Sequence, residues 1–292
     1  MSYCRNIYRT PVGMYVEQYH SGRAAPRGEK RRPKKERTKE EIEKNNQRVR
    51  EKNIQLLLMN NFQKNDYFAT LTYRKEKRPP DMKTAKKELA AALRVIRREY
   101  RKRDTELKWI CNIEKGSRGG WHIHLCLNRI RDTDIILRKA WEQEQGGVHT
   151  TLLYEEGGFR MLAGYFSKQA PEDEKTGKRD SGYSRSRNLD LPKPEKKVIR
   201  RWDTWKDEIK VPEGYYLDKE SVQEGYNRAG YPYRRYVLLA TEERRKKDVG
   251  SAPVRRGRKH NTKKKAKKNN VRAGTGPARR KSGEDKGEDH GV

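Results

Sequence analysis

The stretch Trp109-Ile110-Cys111-Asn112-Ile113-Glu114-Lys115-Gly116-Ser117-Arg118-Gly119-Gly120-Trp121-His122-Ile123-His124-Leu125-Cys126-Leu127 decides the reading of the fold. Two apolar and aromatic runs flank a loop with three glycines, the pattern of a β-hairpin. Side chains of a strand alternate with a period of two. Trp121, Ile123, Leu125 and Leu127 therefore share one face and His122 and His124 the other. In the first run Trp109, Cys111 and Ile113 form one face, and Ile110, Asn112 and Glu114 the opposite one. Directly opposed residues of an antiparallel pair lie on the same face. Glu114 thus meets His122 only in a register that pairs even-numbered with even-numbered positions, and the sequence leaves that register open.

Outward from the hairpin, the hydrophobic period switches between two and 3.6. Tyr67-Phe68-Ala69-Thr70-Leu71-Thr72-Tyr73 reads as a strand that ends before Pro79-Pro80. Ala85, Leu89, Leu93, Ile96 and Tyr100 mark one face of a long helix. After the hairpin, Asp132 and Thr133 can cap a helix with Ile136, Ala140 and Trp141 on one face, stopped by Gly146-Gly147. Val148 to Tyr154 reads as a strand, Gly157-Gly158 as a turn and Phe159 to Gln169 as a helix. The order β-α-β-β-α-β-α predicts an α+β fold over residues 62–195. Its pattern is the ferredoxin-like split βαβ, an antiparallel sheet with helices packed on one face.

On either side of that domain the pattern is weaker. Residues 1–36, with the run Lys30-Arg31-Arg32-Pro33-Lys34-Lys35, read as a flexible basic arm. The capping box Thr38-x-x-Glu41, followed by Ile42, Val49, Ile54 and Leu57, predicts a helix ending at 61. Residues 196–243, with Trp202, Trp205 and the aromatic-rich Tyr226 to Leu239, read as a small C-terminal extension over the sheet domain. From Arg244 to Lys281 there are seventeen Lys or Arg and one acid, so residues 244–292 read as a disordered basic tail.

The 292 residues carry 72 Lys and Arg against 41 Asp and Glu, a formal charge of +31. Such a balance makes a polyanion, nucleic acid first, the expected partner. No apolar run approaches the roughly 18 to 20 residues of a spanning helix, and Met1-Ser2-Tyr3-Cys4-Arg5 does not open a signal peptide. No membrane partner is expected. The three cysteines, 4, 111 and 126, form no CxxC, which argues against structural zinc and fits a reducing compartment.

Two imidazoles on alternate strand positions can converge on one divalent ion, with a carboxylate as the harder third partner, and Glu114 is the candidate. Tyr165 and Lys168 are i,i+3 in the last predicted helix, beside the apolar stripe of Phe159, Leu162, Ala163 and Phe166. A phenol with a pKa near 10 is a poor nucleophile while protonated. A metal and a lysine nearby would stabilise charge on a phosphate and favour the phenolate, as covalent phosphoryl transfer by tyrosine requires.

Phe68-Ala69-Thr70-Leu71-Thr72-Tyr73, then Glu114 ahead of His122-Ile123-His124, then Tyr165-Phe166-Ser167-Lys168 resemble motifs I, II and III of the HUH endonucleases. They stand in the order of rolling-circle replication initiator (Rep) proteins of phage or plasmid type. Ser186-Arg187-Asn188-Leu189 followed by Pro192 resembles a further stretch of that group. The resemblance implies Mg²⁺ or Mn²⁺ held by His122, His124 and Glu114, and attack by Tyr165 on single-stranded DNA or an origin hairpin. A 5′-phosphotyrosine and a free 3′-OH would result, with later rejoining, and Lys168 would support the site. A single tyrosine motif implies the one-tyrosine type, since Tyr154 and Tyr183 lack the spaced lysine. The sequence has no G-x-x-x-x-G-K-[ST] loop, so a host helicase would separate the strands and a host polymerase extend the primer, in a bacterial cytoplasm. Relaxases usually place the tyrosine before the histidines, whereas short transposases share the order seen here. A transposase or relaxase, or a non-catalytic basic nucleic-acid-binding protein, are the alternatives.

Overall fold

The computed structural model describes residues 2–20, 38–116, 119–142, 145–154, 156–168, 181–227 and 230–245. All of these belong to one compact unit, Met1–Ala252; Pro253–Val292 lies outside the described residues. The chain begins with β1 (Tyr3–Arg9), β2 (Gly13–Tyr19) and α1 (Lys39–Asn61). Then come β3 (Tyr67–Thr72), α2 (Met82–Arg101), β4 (Trp109–Lys115), β5 (Trp121–Leu127), α3 (Thr133–Trp141), β6 (Val148–Leu152) and α4 (Arg160–Ser167). It continues with β7 (Tyr183–Arg185), β8 (Glu195–Ile199), β9 (Tyr215–Tyr226) and β10 (Pro232–Ala240).

From β3 to α4 the elements follow the expected order, in an α+β fold. The sheet they form, here the histidine sheet, runs β6-β3-β5-β4-β7. β5 lies antiparallel between β3 and β4, and α2 crosses from one to the other, which is the split βαβ arrangement. Local chemistry sets the boundaries. Asp81 accepts from the Thr84 backbone N–H at 2.7 Å and caps α2. Thr38 and Glu41 complete the capping box of α1.

The odd-numbered residues of β3, β4 and β5 pack on Ala85, Leu89, Leu93, Ile96 and Tyr100 of α2 and on Ile136, Leu137 and Trp141 of α3. Helices on that face alone were expected. Instead the even-numbered face is also covered over part of its area: Ile110 and Cys126 join a second core with α1 and with Ala163 and Phe166 of α4. α1 lies between two sheets. Its last turns, Ile54 to Met59, are buried all round, whereas Ile42 and Val49, expected on the apolar stripe, are exposed.

The second sheet, β8-β1-β2-β10-β9, corrects the reading of both chain ends. Residues 3–19 are not part of a flexible arm; they form an antiparallel hairpin, with Cys4 opposite Tyr19. Every residue of β2 from Gly13 to Gln18 is buried. β2 also pairs with β10, Tyr15 lying opposite Val237, and β1 pairs with β8. The C-terminal extension is therefore the other half of a sheet whose middle comes from the N-terminus. Residues 21–36 of the expected arm, and the tail beyond residue 245, lie outside the described residues.

Candidate functional site

The hairpin register pairs even with even: Glu114 lies opposite His122 and Asn112 opposite His124. On the other side of β5, Thr70 lies opposite His124 and Thr72 opposite His122. These polar side chains thus share the face on which α4 packs. His122 and His124 have nearly parallel rings, 6.3 Å between centroids. His124 Nε2 is 3.2 Å from Glu114 Oε1, and Thr70 Oγ1 is 3.3 Å from Nδ1 of the same ring. Phe68 stacks against His124 at 5.8 Å. The phenyl ring and the threonine hydroxyl together fix the plane of the imidazole.

Tyr165 reaches this group from α4. Its hydroxyl donates to Glu114 Oε1 at 2.7 Å, and its ring stands edge-on to His124 at 4.8 Å. α4 is held in place by α1: Gln47 Nε2 donates to Ser167 Oγ at 2.9 Å, and Gln55 Nε2 to the Gly158 carbonyl at 3.1 Å. Phe159, immediately before α4, adopts φ 61°. That conformation is unfavourable for a bulky residue, and burial of the Phe159 ring in the second core offsets it. Lys168 is not in the helix as expected: α4 ends at Ser167 and Lys168 is its extended C-cap. Its ammonium nevertheless lies 5.3 Å from the centre of the Tyr165 ring.

Burial, then the hydrogen bond to Glu114, then the charge of that carboxylate raise the Tyr165 pKa well above the ordinary phenol range. As it stands, the phenol holds its proton. Burial lowers the His124 pKa, and Glu114 only partly opposes it. A neutral imidazole is the form that can ligate a metal. Among the described residues no three His, Cys, Asp or Glu side chains stand together at metal-binding spacing. Glu114 and His124 are in contact, and His122 is the nearby third donor on the same face.

All five residues singled out in the sequence, Glu114, His122, His124, Tyr165 and Lys168, fall in this one place. Two residues of the first motif stretch had been given no role of their own. Thr70 and Phe68 orient His124 across the β3–β5 pair, and their signal was the parity of a strand pairing more than fifty residues apart in the chain. Tyr183 lies opposite Asn112 on the same face, and Tyr154 is largely exposed; among the described residues neither hydroxyl hydrogen-bonds Glu114, as that of Tyr165 does.

Residues 66–170 match the family model of the replication-associated protein ORF2. The matched segment begins just before β3, ends just after α4 and contains all five residues of the site. No curated protein and no solved structure matches the chain. The family match supports a replication-associated protein of the initiator type, with DNA as its partner. No helix among the described residues is long and apolar enough to cross a membrane.

Proposed function

We propose that this chain, matched over its histidine sheet to replication-associated proteins, is an HUH-type endonuclease that starts rolling-circle replication by nicking single-stranded origin DNA. Tyr165 Oη attacks the scissile phosphorus, and the bond to the 3′ oxygen breaks. A 5′-phosphotyrosine and a free 3′-OH result. One observation carries the reading: the Tyr165 hydroxyl donates to Glu114 at 2.7 Å, so the tyrosine of α4 meets the carboxylate of the hairpin beside His124. Glu114 Oε1 is in position to accept the Tyr165 proton, and the leaving 3′ oxygen takes up a proton in turn. The ammonium of Lys168 adds positive charge beside the developing phenolate. Because the phosphodiester energy is kept in the phosphotyrosine, the 3′-OH of a completed strand can attack it and rejoin the ends without a nucleotide.

The donors suit a divalent cation, Mg²⁺ or Mn²⁺. Two imidazoles and a carboxylate, from His122, His124 and Glu114, stand on one face. The far ring nitrogen of His124 is held by Thr70, as the outer nitrogen of a ligating histidine commonly is. Such a cation supplies charge that polarises the phosphate and offsets the carboxylate beside the phenol. The 3′-OH would prime a host polymerase, and a host helicase would open the duplex.

Incubation with origin-bearing single-stranded DNA and Mn²⁺ or Mg²⁺ should leave a covalent protein–DNA adduct, mapped to Tyr165 by peptide mass spectrometry. Tyr165→Phe and EDTA should each abolish it. Cleavage that survives in Tyr165→Phe sinks the assignment.

A further inference from the structure

At the free edge of the histidine sheet, β7 runs into Ser186-Arg187-Asn188-Leu189. This stretch is clamped to the start of β4. The Ser186 backbone N–H donates to the Trp109 carbonyl at 2.9 Å, and the Trp109 backbone N–H donates to Ser186 Oγ at 3.1 Å. Asn188 Nδ2 donates to the Leu107 carbonyl at 3.2 Å and to Glu106 Oε2 at 3.3 Å. Ser186 and Leu189 are buried, whereas Arg185 and Arg187 alternate outward. Across from them α2 presents Arg97 and Arg101, one helical turn apart, or about 6 Å along the axis. The four arginines line one open groove of about 540 Å³.

The charge of this groove is not compensated from within. Glu106 is the one carboxylate among its lining residues, and it is engaged by Asn188. None of the four arginines pairs with an acid among the described residues. Like charges at i,i+4 of a helix destabilise it, so the arrangement carries a cost that a bound anion would remove. A second feature also points to a missing acceptor. Trp109 lines the groove with its indole N–H buried, and that group makes no hydrogen bond among the described residues. A buried donor without an acceptor is unusual and unfavourable. Guanidinium groups match phosphate oxygens with two parallel N–H donors each.

We infer that this groove seats the sugar-phosphate backbone of the single DNA strand on its way to Tyr165. Arg185 lies opposite Ile110 on β4 and so on the same face as Glu114, four residues further along that strand, or about 13 Å. Arg97, Arg101 and Trp109 stand on the opposite, α2-covered side, so a strand held by the arginines rounds the sheet edge at β7 and continues past Arg185 towards the tyrosine. The inference deepens the nickase reading and rests on it for the destination of the strand.

The test uses the full chain as Tyr165→Phe, with an unstructured oligothymidylate as probe. Arginine-selective phenylglyoxal labelling, read by peptide mass spectrometry, should slow at Arg97, Arg101, Arg185 and Arg187 when the oligonucleotide is added, while Arg9 on β1 keeps its rate. Equal rates at all five overturn the inference, and so does protection by phosphatidylserine vesicles but not by the oligonucleotide. Replacing the four arginines by alanine should flatten the salt dependence of binding by about 0.7 in log–log slope per lost contact, roughly 2 to 3 in all. An unchanged slope and affinity overturn it. The same four replacements on a Tyr165 background, assayed for the covalent adduct, separate the two readings. If wild type forms no adduct while the slope still falls, the nickase reading fails and the groove stands. If the adduct forms and the slope is unchanged, the groove fails and the nickase reading stands.

Discussion

The two sheets of this molecule have equal strand numbers and opposite origins. The histidine sheet takes its first four strands from a continuous stretch, residues 67–152, and adds a short edge strand from 183–185. The second sheet joins residues 3–19 to residues 195–240, so its central pairing of β2 with β10 spans more than two hundred residues. The first carries Glu114, His122 and His124 on one face. The second packs, through α1, behind the helix that bears Tyr165. One apolar core contains Tyr8, Tyr15, Val237 and Leu239 of the second sheet, Ile54 to Met59 of α1, Phe166 of α4 and Ile110 of the histidine sheet. The position of Tyr165, the proposed nucleophile, thus depends on a sheet that contributes no side chain to the candidate site.

The strongest way to break that dependence is at Glu17. Its carboxylate is 3.1 Å from Lys52 Nζ on α1 and 3.6 Å from Arg235 Nε on β10, and it accepts from the Tyr8 hydroxyl at 3.3 Å. The Glu17 side chain is 12% exposed, as is that of Arg235. Removing one partner of a buried ion pair leaves the other charges uncompensated and costs about 3 to 5 kcal/mol. Glu17→Ala should lower stability by that order in denaturant unfolding, and as one cooperative transition for the whole described unit. If tryptophan fluorescence and far-UV circular dichroism instead separate into two transitions, the sheets are independent and the dependence fails.

Glu17 also illustrates what the sequence withheld. In the histidine sheet, Trp121 to Leu127 alternates cleanly because one face is core and the other carries the histidines, so strand, face and ligand candidates were all readable. Motif spacing added Tyr165, although it sits on an eight-residue helix ended by Lys168. The register that joins Glu114 to His122 was not readable, because it is set by the geometry of the glycine loop and by the pairing of β5 with β3. β2 gave no signal of period two, since Gly13 to Gln18 is buried on both faces. Its polar residues look like those of an exposed arm until Lys52 and Arg235 are brought to them by pairings distant in the chain. The first half of α1 misled in the opposite sense: Ile42 and Val49 keep helical spacing but are exposed.

A smaller effect separates chemistry from support within the histidine sheet. Thr70→Val removes the hydroxyl beside His124 Nδ1 and leaves the volume of the side chain nearly unchanged. Loss of such an orienting partner typically lowers metal affinity or activity by about 10- to 100-fold. The expected result is a higher Mn²⁺ requirement for adduct formation, with thermal stability shifted by less than about 1.5 kcal/mol. A variant that loses stability but keeps the metal dependence of the parent would give Thr70 a packing role only.

The smallest effect tests whether the outer rim of the second sheet matters at all. Arg9 on β1 and Glu195 on β8 form an ion pair at 2.8 Å, with side chains 53% and 49% exposed. Solvent screens such a pair and ordering two long side chains opposes it, so exposed pairs contribute about 0.2 to 1 kcal/mol. β8 is also held to β1 by five registered positions, Tyr3 with Ile199 through Ile7 with Glu195, and these do not depend on the ion pair. Arg9→Ala should therefore shift the unfolding midpoint slightly, by an amount that shrinks further at high salt, and leave adduct formation at Tyr165 unchanged. A loss comparable to that of Glu17→Ala would mean that β8 is seated mainly by its charges, and that the rim of the second sheet, rather than its buried face on α1, governs the position of α4.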